Sequence, residues 1–301
     1  MFTDSAYTAS ENELVLVNFA ERQYRIEGKM FLNFAHRKKF VFVCAGMIAA
    51  ILLGVPAWLW YTPAPAGIPI LEYHMVTMHP REDAEHYNVP PEEFAAQLDY
   101  LSEQGYTTIT MLEYMKAKKG KLTLPEKPII LTFDDGYADN YQEMLPILEA
   151  HGMKAVVYMV TNMIGQPGYL SWEQLREMQE RGVEIGSHTA NHLPLTELSP
   201  EERAEEVQLS KLLMEWNGIR TVFSLSYPNG KYDDSLPQLL RESEYLTAVT
   251  GDPGLNTFQT DPYLMQRVNI PDSPFGMTAF RLRLLKAEWM TKLGWMQHIE
   301  K

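Results

Sequence analysis

Ile129-Ile-Leu-Thr-Phe-Asp-Asp-Gly-Tyr137 is an apolar run that stops abruptly at two adjacent carboxylates and a glycine. The pattern predicts a buried strand, because short apolar runs bounded by proline and glycine are typical of strands. Asp134 and Asp135 then lie where the strand ends, and a sharp turn at the glycine can bring both carboxylates to one cavity. The alternative is a loop in which an aspartate caps a helix beginning near Asn140.

A pair of carboxylates in one cavity needs compensation, because two like charges a few ångströms apart cannot both ionise freely. A bound cation supplies that compensation for one of them. The hypothesis is therefore that one aspartate binds a metal while the other transfers protons.

Strand-like and helix-like segments alternate along the chain. Strands are predicted at residues 68–73, 107–110, 129–133, 155–160, 183–187, 222–227, 246–250 and 267–270, and helices at 91–101, 140–150, 171–182, 199–216 and 280–296. Such alternation is typical of a parallel sheet, and seven or eight units indicate a closed barrel. We predict an α/β fold, a (β/α) barrel with about seven parallel strands.

Composition limits the chemistry. The chain has 301 residues, 46% of them hydrophobic, and a net charge of −13. A nucleic-acid-binding surface should be basic, so no nucleic-acid partner is expected. The single cysteine, Cys44, leaves neither a disulfide framework nor a cysteine-ligated zinc site. Any metal site must use histidine, aspartate or glutamate.

Residues 40–61 carry no charge over 22 positions, enough to cross a hydrocarbon core of roughly 30 Å as a helix. Basic residues precede this segment, and Trp58 and Trp60 stand at its far end, as expected at a membrane interface. We predict a single-pass transmembrane helix, with residues 1–39 as a cytoplasmic tail, 62–69 as a linker and 70–301 as an extracytoplasmic domain.

A cleaved signal peptide is the alternative for this segment, with Ala64-Pro-Ala66 as its cleavage site. The apolar run is longer than a signal sequence requires and is preceded by 39 residues, which favours the anchor.

Two histidines four residues apart follow a later predicted strand, in Gly186-Ser-His-Thr-Ala-Asn-His192. Chemistry in a parallel barrel gathers at the carboxyl ends of the strands. His188 and His192 with one aspartate would leave positions open for water and substrate, as in catalytic metal sites. Such ligands suit Zn²⁺, and also Co²⁺, Ni²⁺, Mn²⁺ or Fe²⁺.

Leu131-Thr-Phe-Asp-Asp-Gly-Tyr137 and His188-Thr-Ala-Asn-His192 resemble the first two motifs of the NodB-homology polysaccharide deacetylases, carbohydrate esterase family four. The resemblance runs from about residue 69 to residue 270. It implies a distorted (β/α) barrel and metal-dependent removal of acetyl groups from N-acetylated sugars. It also implies that Asp134 is the general base and that Asp135, His188 and His192 are the metal ligands.

The third family motif, often Arg-x-Pro-Tyr, is replaced here by Ser226-Tyr-Pro-Asn229. The Tyr-Pro-x-Gly pattern of Tyr227, Pro228 and Gly230 resembles the exopolysaccharide-modifying branch, in which the Tyr227 backbone N–H would help to hold the oxyanion. Arg267, in a later strand, is expected to replace the missing arginine by pairing with Asp134 and lowering its pKa.

The late leucine-x-histidine motif that supplies the general acid in the family is not visible; His298 near the end follows no predicted strand. Leu71-Glu-Tyr-His74 resembles the early Tyr-His of the exopolysaccharide branch. His74 is therefore the candidate catalytic-site histidine, and a buried structural histidine is the alternative.

The predicted protein is a membrane-anchored, monomeric N-deacetylase of a cell-surface polysaccharide, with a poly-β-1,6-N-acetylglucosamine-like exopolymer as the first choice and zinc as the expected metal. Peptidoglycan and chitin oligomers are alternative substrates. A non-catalytic sugar-binding barrel, with Tyr137 and Trp172 stacking on sugars, and a non-haem iron oxygenase are the rival functions.

Overall fold

The computed structural model describes Gly54, residues 67–82 and residues 84–294. By internal contacts the chain divides into two units, Met1–Pro63 and Ala64–Lys301, and every strand and helix from Ile70 onwards belongs to the second. The predicted tail, the rest of the predicted span and His298 lie outside the described residues. No helix in the described part is both long and apolar enough to cross a bilayer.

Eight strands and seven α-helices follow one another in the described part of the chain, and they alternate except that the last two strands have no helix between them. The strands are β1 (Ile70–Tyr73), β2 (Thr107–Thr108), β3 (Pro128–Phe133), β4 (Val156–Met159), β5 (Glu184–Ser187), β6 (Ser224–Ser226), β7 (Thr247–Pro253) and β8 (Met265–Asn269). The helices are α1 (Pro91–Glu103), α2 (Met111–Lys118), α3 (Leu145–Ala150), α4 (Trp172–Glu180), α5 (Pro200–Trp216), α6 (Leu236–Glu242) and α7 (Gly276–Leu293).

Seven of the strands close into a parallel barrel. Each strand from β3 to β8 pairs in parallel with the next, and β1 pairs with both β8 and β3 to complete the ring. The short β2 pairs only with Pro128 and Ile129, at the start of β3, while β1 pairs with the remainder of that strand. The predicted barrel of about seven parallel strands is confirmed.

Side chains of β3 alternate between two apolar layers. Ile129, Leu131 and Phe133 belong to the core between the strands and the helices, whereas Ile130 belongs to the core inside the barrel. Successive residues of a strand face opposite sides of the sheet, so Asp134 continues the inward series. The alternation thus brings a carboxylate to the mouth of the barrel.

Helix starts follow local capping chemistry. Thr110, Ser171 and Ser199 each accept a hydrogen bond from the backbone three residues later, and the side chain at that later position accepts one from the backbone of the cap. These reciprocal bonds satisfy N–H groups that a helix start leaves without partners. The helices α2 and α6 are not predicted from the apolar period, although Thr110-x-x-Glu113 is a capping signal for α2.

The described domain begins before β1. Ile68 is buried and exchanges two backbone hydrogen bonds with Asn256. The carbonyl of Pro69 accepts the N–H of Ile130. The last residues of the predicted linker, 67–69, are therefore part of the folded domain.

Candidate active site

A cleft of about 530 Å³ opens at the carboxyl ends of the strands. Its lining includes Glu72, His74, Tyr87, Asp134, Asp135, Tyr137, Tyr169, His188, Asn191, His192, Asn229, Gly230 and Asn269. A larger groove of about 710 Å³ lies at the opposite ends of the strands, beside Gly67 and Pro128. Apolar side chains such as Leu122 and Phe258 form much of that groove. Among the residues that the structure describes, the side-chain groups that could hold a metal ion lie in the smaller cleft.

Side chains along each strand alternate between the inside and the outside of the barrel, and this alternation brings the polar groups of the cleft together. The residues at inward positions at the carboxyl ends of their strands are Glu72 and His74 on or after β1, Asp134 after β3, His188 after β5, Ser226 on β6 and Arg267 on β8. Apolar neighbours such as Tyr73, Phe133 and Leu225 face the helices instead. Five different strands therefore contribute polar or charged side chains to the same cleft.

Asp135, His188 and His192 converge as a group that can hold a metal ion. The Oδ1 atom of Asp135 lies 3.6 Å from Nε2 of His188 and 3.5 Å from Nε2 of His192. A Zn²⁺ ion binds nitrogen and oxygen at about 2.0–2.2 Å in a tetrahedral arrangement, which needs donors separated by little more than about 3 Å. The spacing and the donor types fit one divalent ion.

The ring of His188 is oriented by a backbone carbonyl. Its Nδ1 atom lies 2.8 Å from the carbonyl oxygen of Ser226, which can only accept, so Nδ1 carries the proton. The lone pair of Nε2 is then directed towards Asp135, as is usual for histidines that bind metals. Burial, together with neighbouring His188, lowers the pKa of His192 and favours the neutral form that a metal needs.

Two of the three candidate ligands have left-handed backbones. The φ angle is 70° at Asp135 and 59° at His192, and Thr189 between the histidines has 63°. Such conformations cost non-glycine residues about 1–3 kcal/mol each and persist only where the surroundings enforce them. The left-handed turn at Asp135 directs its carboxylate into the same cavity as Asp134, although the two are adjacent in sequence.

Glycine is required directly after this turn. Gly136 has a φ of 76°, and a Cβ atom there would overlap the sulfur of Met159. A Cβ at Gly186 would lie 2.5 Å from the ring of Tyr158, which crosses the barrel interior. Both positions allow the backbone to approach a neighbouring strand's side chain closely.

Asp134 is buried and held by two other strands. Its Oδ1 atom accepts a hydrogen bond from Nη1 of Arg267 at 2.9 Å, and its Oδ2 atom accepts one from Ser226 Oγ at 2.9 Å. Burial by itself would raise the pKa of Asp134, but the guanidinium of Arg267 and the nearby His188 outweigh it and hold that pKa well below its usual range. Asp134 is therefore ionised at neutral pH.

Glu72 shares the same guanidinium. Its Oε1 atom lies 3.2 Å from Nη2 of Arg267. Burial raises the pKa of Glu72 despite the opposing effect of Arg267, and the charge of Asp134 raises it further. Of the two carboxyl groups, Asp134 retains the negative charge more strongly.

His74 stands on the wall of the cleft beside these carboxylates. A ring nitrogen of His74 and carboxylate oxygens of Glu72 and Asp134 lie within 4.8 Å of one another. The ring stacks on Tyr87 at a centroid distance of 4.5 Å, and the backbone carbonyl accepts a bond from Asn140. The site thus contains a half-buried histidine next to the buried aspartate.

Aromatic side chains form the other wall. Tyr137 stacks on Tyr169 with ring centroids 5.3 Å apart, and both residues line the cleft. Burial, reinforced by Asp135, raises the pKa of Tyr137. Trp172, considered from sequence as a sugar-stacking residue, packs instead against the core between strands and helices.

The Tyr227 backbone N–H, predicted to help to hold the oxyanion, has a partner within the barrel. That N–H donates to the carbonyl of Val249 at 3.1 Å as the chain leaves β6, and the Tyr227 hydroxyl donates to the carbonyl of Tyr263. Pro228 has no N–H to offer and is buried. Asn229 and Gly230, at the end of the same turn, line the cleft.

Glu72 and Ser226 acquire partners in the site that are not predicted from the sequence. Each occupies an inward position of its strand, next to a residue that the motifs identify. The alternation of inward-facing and outward-facing side chains along β1 and β6 could therefore have identified both residues from the sequence.

Comparisons with known proteins agree with this geometry. Residues 121–248 match the sequence profile of the family described as Polysaccharide deacetylase. The Bacillus subtilis (strain 168) protein YxkH, which is named as a polysaccharide deacetylase, is 35% identical over 214 residues, covering 71% of this chain and 75% of the relative. The chain belongs to the polysaccharide deacetylase family.

Two further relatives of this deacetylase are informative. The poly-beta-1,6-N-acetyl-D-glucosamine N-deacetylase of Escherichia coli (strain K12) is 34% identical over 111 residues, which is 32% of this chain but 16% of that protein. The solved structure of the Streptococcus pyogenes deacetylase PplD with acetate has a TM-score of 0.65 and 28% identity, covering 71% of this chain and 98% of that one. Metal-dependent chemistry is general in the family, and the Asp135, His188 and His192 group supplies suitable ligands here.

Proposed function

We propose that this deacetylase is a metal-dependent enzyme that removes acetyl groups from a cell-surface N-acetylglucosamine polysaccharide. One observation carries the proposal: Asp135, His188 and His192 converge beside a separate buried carboxylate, Asp134. Three ligands for an ion and one ionised base are the groups that metal-assisted amide hydrolysis requires. A structural metal site would instead be closed by a fourth ligand from the protein.

The expected metal is zinc, with Co²⁺, Ni²⁺, Mn²⁺ and Fe²⁺ as alternatives, since imidazole and carboxylate ligands suit all of them. A bound ion would polarise the acetyl carbonyl and lower the pKa of a water molecule towards roughly 7. The remaining steps depend on side chains of the chain itself.

We assign to Asp134 the role of the base that accepts the proton of the attacking water. Its Oδ2 atom lies 3.8 Å from Nε2 of His188, on the side of the metal ligands, while Arg267 and Ser226 fix the carboxylate. Because its pKa is lowered, Asp134 is ionised and able to accept a proton throughout the neutral range.

We assign to His74 the protonation of the leaving nitrogen. Breaking the C–N bond releases acetate and a sugar amine, and the amine is a poor leaving group until it gains a proton. A ring nitrogen of His74 lies within 4.8 Å of an Asp134 carboxylate oxygen, so base and acid stand on adjacent parts of one cleft. Water thus supplies one proton to Asp134, and His74 supplies one to the amine.

The preferred substrate is a poly-β-1,6-N-acetylglucosamine-like exopolymer. Support comes from the Escherichia coli relative, whose name gives that polymer, and from the Tyr227-Pro-x-Gly230 and Tyr73-His74 sequences. Stacked Tyr137 and Tyr169 offer an aromatic surface in the open cleft, of the kind that contacts sugar rings.

The decisive experiment measures acetate release by the full-length protein in detergent, with and without a chelator, from poly-β-1,6-N-acetylglucosamine, peptidoglycan and chitin oligomers. Chelation should abolish release and added Zn²⁺ or Co²⁺ should restore it. His188→Ala should be inactive, whereas His151→Ala, outside the cleft, should keep full activity. Undiminished acetate release after removal of all metal would refute the proposed metal-dependent mechanism. A preference for another polymer would refute only the proposed substrate.

We also propose that residues 40–61 anchor the enzyme in a membrane with the catalytic domain outside the cell. Support comes from the uncharged length of this segment and the basic residues before it. Full-length protein should remain in the membrane fraction after an alkaline wash, and a variant lacking residues 40–61 should not. Extraction of the full-length protein by that wash would contradict the anchor.

A further inference from the structure

Helix α5 contains a buried carboxylate that the proposed reaction does not use. Glu206 is 5% exposed, and both of its side-chain oxygens accept hydrogen bonds from one residue, Asn191. Oε2 accepts the Asn191 backbone N–H at 2.9 Å, and Oε1 accepts Nδ2 of the same residue at 2.5 Å. A buried carboxylate is tolerated where hydrogen bonds compensate its lost hydration, and here both donors belong to the residue directly before His192.

The same face of α5 also contacts the start of the loop that carries both histidines, residues 188–192 (the histidine loop). Ser210, one helical turn after Glu206, shares hydrogen bonds with Ser187 Oγ at 2.7 Å and with Thr161 Oγ1 at 2.6 Å. Ser187 Oγ in turn accepts the N–H of Thr189. Helix α5 therefore contacts the histidine loop before His188 and again before His192.

This loop needs external support. Thr189 and His192 both have positive φ angles, and such strained residues persist only when the surrounding structure over-determines them. Inside the loop, Thr189 Oγ1 accepts the N–H of His192 at 3.1 Å. The backbone N–H groups of Ala190 and Asn191 are both bound by Glu206, the first by its carbonyl and the second by its side chain.

We propose that Glu206 is a positioning residue for the metal centre. By holding Asn191, it fixes the backbone of His192 so that Nε2 stays within reach of an ion shared with Asp135 and His188. Without this contact, His192 relaxes away from its left-handed conformation and the third ligand is lost for part of the time. The inference rests on the proposed metal-dependent function.

The test is Glu206→Gln, which replaces one accepting oxygen with an NH₂ group that cannot accept from Asn191. Glu205→Gln is the matched control, because Glu205 is the exposed neighbour on the same helix and loses the same charge. Dissociation constants for Zn²⁺ and Co²⁺ are measured by calorimetry on the full-length, metal-stripped protein. Glu206→Gln should bind about tenfold more weakly or worse, the range expected for groups that orient ligands, and Glu205→Gln should match wild type.

A spectroscopic signature separates positioning from general destabilisation. The visible absorption of bound Co²⁺ depends on its ligand geometry, and its bands should shift in Glu206→Gln but not in Glu205→Gln. Thermal unfolding in chelator measures any general loss of stability in Glu206→Gln, and the further increase in unfolding temperature on adding Zn²⁺ should be smaller for Glu206→Gln than for wild type or Glu205→Gln.

Asn191→Ala provides an independent variant at an exposed position, retaining the backbone bond to Glu206 and losing the side-chain bond. It should weaken metal binding by less than Glu206→Gln does, and it decides the matter if Glu206→Gln does not fold. Wild-type affinity in Asn191→Ala and in any folded Glu206→Gln would overturn the positioning role. Failure of the wild-type protein to bind either metal would instead refute the proposed function.

Discussion

Arg267 on β8 donates a hydrogen bond from Nη1 to Oδ1 of Asp134 at 2.9 Å, although the two residues are 133 positions apart in sequence. Both side chains are almost completely buried, and Nη2 of the same guanidinium lies 3.2 Å from Glu72. One arginine therefore compensates two carboxyl groups inside the barrel mouth.

Arg267→Met should lower the free energy of unfolding by about 3–5 kcal/mol, because removing one partner of a buried ion pair leaves the other charge uncompensated. Urea denaturation measures the loss. The double variant Arg267→Met/Glu72→Gln should recover part of it, since one carboxyl group no longer needs compensation. Arg220→Met, at an exposed position, is the control and should change little; a loss of the same size there would contradict this account.

Asp134→Asn and His188→Ala should separate catalysis from metal binding. Asp134→Asn removes the base but none of the three ligands, so metal content should remain near wild type while acetate release falls by about 10²–10⁴-fold. His188→Ala removes a ligand, so metal content and activity should both be lost. Elemental analysis and acetate assays on the same preparations make the comparison. Equal activity of Asp134→Asn and wild type would exclude Asp134 as the base.

Stability should fall as the pH rises through the pKa of Glu184. Burial raises the pKa of this largely buried carboxyl group from 4.5 to about 7, against hydrogen bonds from Leu112 and Ser224. Between pH 4.5 and 7 the folded protein holds a proton that the unfolded chain releases, so the free energy of unfolding decreases over that window by at most about 3 kcal/mol.

Glu184→Gln should remove this slope, and the difference from wild type isolates the contribution of Glu184 from those of other groups. Urea denaturation at about pH 5, 6, 7 and 8 measures it. Glu180→Gln, at an exposed position of α4, should keep the wild-type slope. Parallel wild-type and Glu184→Gln curves would show that Glu184 ionises normally.

Gly136→Ala should destabilise the protein more than Gly105→Ala. The two glycines have nearly equal φ angles, 76° and 77°, but a Cβ at Gly136 would overlap the sulfur of Met159 while Gly105 has open space. The backbone cost of about 1–3 kcal/mol is common to both, and overpacking adds about 1–3 kcal/mol at Gly136 alone. Comparison of their denaturation midpoints tests this. Equal losses would mean that Met159 moves aside without cost.

Most of the barrel is predictable because its signals are local. Runs such as the one ending at Phe133 are apolar enough to be recognised as buried strands, and Ser199-Pro-x-Glu marks the start of α5. Helix α6 has no such signal, whereas short β2 falls within the strand predicted at residues 107–110. The predicted tail, span and substrate stay predictions.

The residues of the candidate site were likewise predictable only in part. The motifs identify Asp134, Asp135, His188 and His192, which lie on two loops with recognisable patterns. Glu206 could not be predicted, because nothing in the sequence of α5 indicates which turn faces the histidine loop.

The sequence by itself determined the class of fold, the metal-binding residue types and the resemblance to deacetylases, since these follow from hydrophobic period and motif spacing. The pairing of Arg267 with Asp134 was also predicted from the sequence, and the structure confirms it. Only the tertiary structure decided the remaining partners: it added Ser226 to Asp134 and Glu72 to Arg267, and it engaged the Tyr227 N–H with Val249. The physical reason is that a buried polar or charged group needs a partner, but the sequence does not say which one. The partner is decided when the barrel closes, because closure brings together residues that are far apart in the chain.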